Sequence, residues 1–287
     1  MYTNLSEFCA PGCQFNKQLI SVSRRVSLNL VTFYPSKPSD LPPILFVPGW
    51  ISLIVGWQSV LKTMTRDFVV YYLETREKIS SVTRDKVNYA VPDFGQDIAK
   101  AIEILNLKPR EYLIFASSLG ATSVVDGYAK IKNPPLGVIL IGPNAVFHIP
   151  PFWLNIVRHF RPRLYLAIKP VVKWYLRNFR LDPVKDQAQY AKYCHNLDHA
   201  DPWKLKQAAL AFAKYSIWDK LPLLTCPTLI VGASHDALHD NLNLQRMAQS
   251  MPQAHYVDLG TNSRSHSPVI VDYIFEFLAE IKATSPK

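Results

Sequence analysis

The sequence predicts an α/β domain on a mostly parallel, doubly wound sheet, with a helical region inserted late in the chain. Three observations carry this. Short continuous apolar runs recur along the chain, helix-length stretches lie between them, and the alternation breaks once across an aromatic and basic segment before resuming. Strands buried on both faces read as unbroken apolar runs, and strands alternating with helices assemble parallel sheets. At 287 residues the chain can bury a core of this size.

The elements follow in order. Val26, Leu28, Leu30, Thr32 and Tyr34 alternate in period two, as in an outer strand, and lead into the turn Pro35-Ser36-Lys37-Pro38. Buried strands are expected at 44–47, 68–73, 112–115, 138–141 and 228–231, with helices over 58–65, 93–107, 121–132, 241–250 and 268–282. Residues 144–215 hold no strand-like run. They are expected to form a helical cap over the sheet's carboxyl edge, inserted into a core of residues 1–143 and 216–287.

Composition narrows the class. Hydrophobic residues make up 48% and charged residues 19%, which describes a folded globular chain. No run of 18 apolar residues occurs, and residues 1–30 lack a basic segment followed by an apolar one, so a cytoplasmic protein without a spanning helix is expected. Cys9, Cys13, Cys194 and Cys226 are too few and scattered for a disulfide framework.

The net charge of +10 is concentrated: residues Pro151 to Ser216 hold twelve Lys and Arg against four Asp. Over 163–180 a helical reading gathers Leu164, Ile168, Val171, Val172, Tyr175, Leu176 and Phe179 on one face. Lys169, Lys173, Arg177 and Arg180 form a stripe beside it, and Pro170 is expected to kink or break the helix. Two readings of that stripe stay open. It is the solvated face of an ordinary cap helix, or it meets an anionic membrane or an anionic group on a substrate. Nothing resembles a nucleic-acid recognition module.

The chemistry lies at Ala116-Ser117-Ser118-Leu119-Gly120, where an apolar strand runs into a helix-like stretch. Small residues flanking a serine let the chain turn sharply and expose its hydroxyl. By itself this is also how a serine helix cap looks. A serine hydroxyl is a weak nucleophile at neutral pH and needs a histidine to accept its proton and an acid to orient that histidine. Asp236 stands just past the run 228–231, and His266 follows the next run, 255–259, immediately before a helix. Asp240 and Asp258 are alternative acids. His235, Asp236, His239 and Asp240 could also be read as metal ligands, but Asp236 already has a role and a solvated loop is the plainer account of the histidines.

The strand-elbow-helix motif and the chain order Ser118, Asp236, His266 resemble the α/β-hydrolase superfamily over nearly the whole chain, in particular its capped serine esterase and lipase-like members. The resemblance implies an acyl-enzyme mechanism, with Ser118 as nucleophile, His266 as general base and Asp236 as the orienting acid. No metal or cofactor is required. Phe46-Val47-Pro48-Gly49-Trp50 resembles the family's oxyanion loop, with Pro48 where histidine is usual, which implies the backbone N–H groups of Trp50 and Leu119 as oxyanion donors. Trp57 resembles the aromatic residue that follows it. Glu74-Thr75-Arg76-Glu77-Lys78-Ile79-Ser80-Ser81 aligns with the family's Asp-x-Arg-Gly-x-Gly-x-Ser loop but lacks both glycines, so an altered backbone path is expected, held by ion pairing of Glu74 and Arg76.

The cap aromatics, among them Phe152, Trp153, Phe160, Tyr165, Trp174, Tyr175 and Trp203, favour an apolar acyl ester or thioester as substrate. An acyltransferase on the same three residues and a non-catalytic ligand-binding member of the fold remain alternatives.

Overall fold

The computed structural model describes residues 4–147, 151–159, 161–180, 187–213, 215–235 and 241–284. Its centre is one mixed sheet. The strands are β1 (Gln14–Ser21), β2 (Val26–Tyr34), β3 (Ile44–Val47), β4 (Val70–Leu73), β5 (Val82–Thr83), β6 (Leu113–Ser117), β7 (Gly137–Ile141), β8 (Thr228–Gly232) and β9 (Ala254–Asp258). The spatial order is β1-β2-β4-β3-β6-β7-β8-β9, with β5 paired to β2. From β4 to β9 every pairing is parallel, whereas β2 is antiparallel to β1, β4 and β5.

The expected strands are present within a residue or two. The edge strand β1 was not expected, because only Ile20 of its eight residues is buried and no apolar alternation marks it. Its pairing along the whole of β2 creates it.

The apolar runs are buried on both faces because period-two alternation sends neighbours to opposite sides. Leu45, Val47, Ile114, Ala116, Val138, Leu140 and Ile230 enter one core, and Ile44, Phe46, Leu113, Phe115, Ile139, Leu229 and Val231 enter the other. Each large side chain so buried contributes on the order of 1.5–3 kcal/mol.

The helices are α1 (Gln58–Met64), α2 (Val91–Ile104), α3 (Leu119–Gly127), α4 (Pro151–His159), α5 (Tyr165–Tyr175), α6 (Gln187–Asp198), α7 (Pro202–Phe212), α8 (Asn241–Gln249), α9 (Asn262–Ser265) and α10 (Val269–Thr284). Pro92 opens α2, where its missing N–H costs nothing, and the Asp93 carboxylate accepts the Ala90 N–H at 3.2 Å.

Among the described residues the α-helices α4 to α7 lie between β7 and β8 in the chain. The base of this insertion is closed by a Val146–Ser216 bridge and by the Ile217 N–H donating to Ala145 O at 3.0 Å. Pro170 does not break α5, which runs through it and ends in a π-helical turn over Leu176–Arg180. The basic stripe is not wholly solvated either. Lys169 and Lys173 both reach Asp198 of α6, at 2.8 and 2.9 Å, and their hydrogen bonds hold its carboxyl down at about 2. A helical wheel sees one helix at a time and could not show this partner.

The chain moves outward from β3 to β4, then returns to place β6 on the other side of β3. The loops leaving β3 and β6 therefore diverge at the carboxyl edge, and that crevice is where open α/β sheets bind ligands.

Candidate active site

Ser118 sits between β6 and α3 with φ +48° and ψ −117°, a strained conformation for a residue with a side chain. Two bonds hold it. Its N–H donates to Ile141 O of the neighbouring strand at 2.8 Å, and its carbonyl accepts the Thr122 N–H at 2.9 Å as the first helical bond of α3.

The small residues around it are required by contact distances. A Cβ on Gly120 would lie 2.5 Å from Val47 O, and one on Gly49 would lie 3.0 Å from the Ser118 Cβ. The turn after β3 thus packs directly against the elbow. Ala116, where glycine is usual, is fully buried in the strand.

Leu119 opens α3, so its N–H is a first-turn donor with no intrahelical acceptor. Trp50 follows Gly49, and its ring packs edge-on against Phe212 of α7 at 5.6 Å between centroids. Tyr89, Val91, Phe94, Leu119 and Phe212 continue this apolar cluster.

Sequence reasoning missed Asn144. Its side-chain amide donates to Ser118 Oγ at 3.2 Å, while its backbone N–H and carbonyl both bond Thr122 Oγ1, at 3.0 and 3.1 Å. An asparagine just past a strand reads as an ordinary turn residue. Only the adjacency of β7 to β6 carries it to Ser118.

His266 caps the C-terminus of α9. Its Nδ1 lies 2.9 Å from Asn262 O and 3.2 Å from Ser265 Oγ. A carbonyl can only accept, so the neutral ring carries its proton on Nδ1, which makes Nε2 its acceptor nitrogen. The buried Trp57 lies against the imidazole with centroids 4.2 Å apart and also meets Phe115 of β6 at 5.7 Å, linking the histidine turn to the strand that ends at the elbow. A small pocket is lined by His266, Ser265, Asn262, Ser117 and the ends of β7 and β8.

Asp236, Asp240 and His239 lie outside the described residues, and His235 is in an exposed turn. Asp258 fastens two loops together. Its Oδ1 accepts the N–H groups of Ser234 at 2.9 Å and Gly260 at 2.8 Å. Partial burial acts against its charge, but these donors hold the carboxyl below its ordinary range.

Segment 74–81 departs from expectation. Arg76 does form an ion pair, binding both oxygens of Asp97 at 2.7 and 2.8 Å, and it also donates to the carbonyls of Asn88 and Asp93. Burial pushes the Asp97 carboxyl up, and the guanidinium offsets part of that. Among the described residues Glu74 makes no ion pair. It accepts from Asn29 Nδ2 at 2.9 Å and from Ser80 Oγ, and burial raises its carboxyl above the usual range. Glu77 and Lys78, one of them at a position where the family has glycine, are both buried.

No protein-family model matches the chain, and no curated protein is similar in sequence. Solved structures do match. A thermophilic esterase from Thermogutta terrifontis superposes with a TM-score of 0.72 at 18% identity, over 93% of this chain and 99% of that one. A hydrolase from Pseudomonas aeruginosa gives 0.75 at 17% identity, over 92% and 98%. An enol-lactonase from Burkholderia xenovorans gives 0.71 at 17%, over 88% and 97%. Taken with the strand order and the strained serine between β6 and α3, these likenesses show that the chain has the α/β-hydrolase fold.

Proposed function

We propose that the chain is a serine hydrolase that cleaves carboxylic esters or thioesters of apolar acyl groups. The observation that carries this is Ser118. A residue held at φ +48° at the switch point of the sheet, with an amide donor on its Oγ, supports a role beyond packing. In this reading His266 Nε2 takes the hydroxyl proton as Oγ attacks the carbonyl carbon. The N–H groups of Trp50 and Leu119 stabilise the resulting oxyanion. Collapse expels the leaving group, which receives the proton from His266, and water then repeats the sequence on the acyl-enzyme. Asp236 is proposed to orient the imidazole, and the Asn262 carbonyl on Nδ1 supports the same tautomer.

The aromatic cluster around Trp50 and Phe212 supports an apolar acyl group, and the helical insertion would act as the cap above it. The solved relatives named an esterase and an enol-lactonase both point to ester bonds. Labelling with a fluorophosphonate probe tests the assignment. Ser118→Ala should lose labelling and turnover, the latter by roughly 10⁴- to 10⁶-fold, while Ser117→Ala keeps both. Asp236→Asn should lower turnover about 10⁴-fold. Undiminished labelling of Ser118→Ala would falsify the proposal.

Peripheral contact with an anionic membrane belongs to the same proposal. Trp174 and Phe179, 57% and 63% exposed, pack together beside Arg177 on the insertion. Co-sedimentation with phosphatidylserine vesicles should weaken in salt and in Trp174→Ser/Phe179→Ser, with hydrolysis of a soluble ester unchanged.

A further inference from the structure

Lys78 is only 3% exposed, yet the ester-cleaving scheme makes no use of it. Its ammonium lies 2.5 Å from Gly49 O and 2.7 Å from Glu77 Oε1. Glu77 is 4% exposed, and neither of its oxygens makes a well-directed hydrogen bond among the described residues, so it serves as counter-charge. A lysine is kept out of water only where its charge meets an acceptor and an opposite charge. Here the acceptor is the backbone of the turn after β3.

The Gly49 carbonyl and the Trp50 N–H belong to one planar trans peptide unit and point in opposite directions. Whatever fixes the carbonyl therefore aims the N–H. A cation on the oxygen also polarises the unit and strengthens its N–H as a donor. The same oxygen accepts the Ser52 N–H at 3.1 Å, closing a turn in which Ile51 has φ +52°. A β-branched residue is strained there and stays only where its surroundings over-determine the backbone. From the insertion, Lys204 Nζ donates to the carbonyls of Lys78 at 2.8 Å and Ser81 at 2.6 Å, clamping the segment that bears Lys78.

We propose that Lys78 is a positioning residue: its ammonium, balanced by Glu77, locks and polarises the Gly49–Trp50 peptide so that the Trp50 N–H meets the oxyanion, and Lys204 ties this lock to the helical insertion. The role rests on the serine-hydrolase reading and adds a requirement that reading does not contain.

The test compares wild type with Lys78→Met on a p-nitrophenyl ester. It also measures inhibition by a trifluoromethyl ketone, which forms an oxyanion on the serine, and by the matching methyl ketone, which binds largely without forming one. Loss of a single oxyanion donor costs about 10²–10³-fold, so a misaimed one should lower kcat by about 10–10²-fold with KM nearly unchanged. Affinity for the trifluoromethyl ketone should fall by a similar factor, and that for the methyl ketone should hold. Equal losses for both ketones, or none for either, overturn the role. Circular dichroism checks folding. If the methionine variant does not fold, Lys78→Gln, with a neutral donor on a shorter arm, must show the same selective loss, and wild-type values overturn the proposal. A wild type that neither labels with fluorophosphonate nor hydrolyses esters overturns the hydrolase reading itself, whereas a labelling wild type with unaffected variants sinks only the role of Lys78.

Discussion

Two segments at the carboxyl edge of the sheet are built by opposite means. The elbow at 116–120 holds its geometry through small residues, with Gly120 so near the backbone of Val47 that no side chain fits. Segment 74–81 is full of charge, and Glu74, Arg76, Glu77 and Lys78 are all buried. Close backbone approach makes the first rigid. Fixed partners make the second rigid, among them Asp97, Asn29 and the Gly49 carbonyl from outside it, because a charge removed from water must find its partners in one arrangement. The comparison shows that a site can be fixed from one side by what is left out of the sequence and from another by what is put in.

The contrast breaks most visibly at Arg76. Arg76→Met leaves Asp97 buried without its cation and is expected to cost about 3–5 kcal/mol in denaturant unfolding. Adding Asp97→Leu should recover part of that loss, since a buried pair replaced by apolar groups is often near neutral. The recovery stays partial because the carbonyls of Asn88 and Asp93 also lose their donor. A double variant no more stable than the single one would mean that the segment is not held by pairing.

At the elbow no second change should rescue the first. Gly120→Ala sets a methyl against two backbone carbonyls rather than against a side chain that can swing away. We expect roughly 1–3 kcal/mol of destabilisation with slowed fluorophosphonate labelling. Wild-type labelling in Gly120→Ala would show that the close approach has no bearing on the reactivity of Ser118.

The smallest effect is expected at Glu74. Burial raises its carboxyl in the folded state, so the folded chain binds this proton more tightly than the unfolded one. The associated stability is fully present below the ordinary carboxylate range and is lost as pH rises through the raised value. Glu74→Gln is neutral at every pH. Its thermal midpoint should therefore gain on the wild type as pH rises from 4 to 8, and a difference independent of pH would place the carboxyl in the same state in both forms of the chain.

Much of the fold was legible because apolar runs and helix-length spacers are local patterns, and β3, β4, β6, β7 and β8 fall on the expected runs. The elbow was legible for the same reason: its requirement is for small residues next to one another in the chain. What the pattern did not carry was partnership. Strand β1 is mostly exposed and is defined by its pairing with β2. Asn144 reaches Ser118 from the end of the neighbouring strand, and Lys169 and Lys173 find Asp198 on a different helix.

By itself the sequence determined the layered α/β architecture and the chain order of the candidate nucleophile and base, because periodicity and turn chemistry act over a few residues. Only the tertiary structure decided that Glu77 and Lys78 are buried, that Lys78 reaches Gly49, and that Lys204 reaches back to the same segment. The physical reason is that a charged residue is read as exposed until a partner is known, and these partners lie up to 126 positions away.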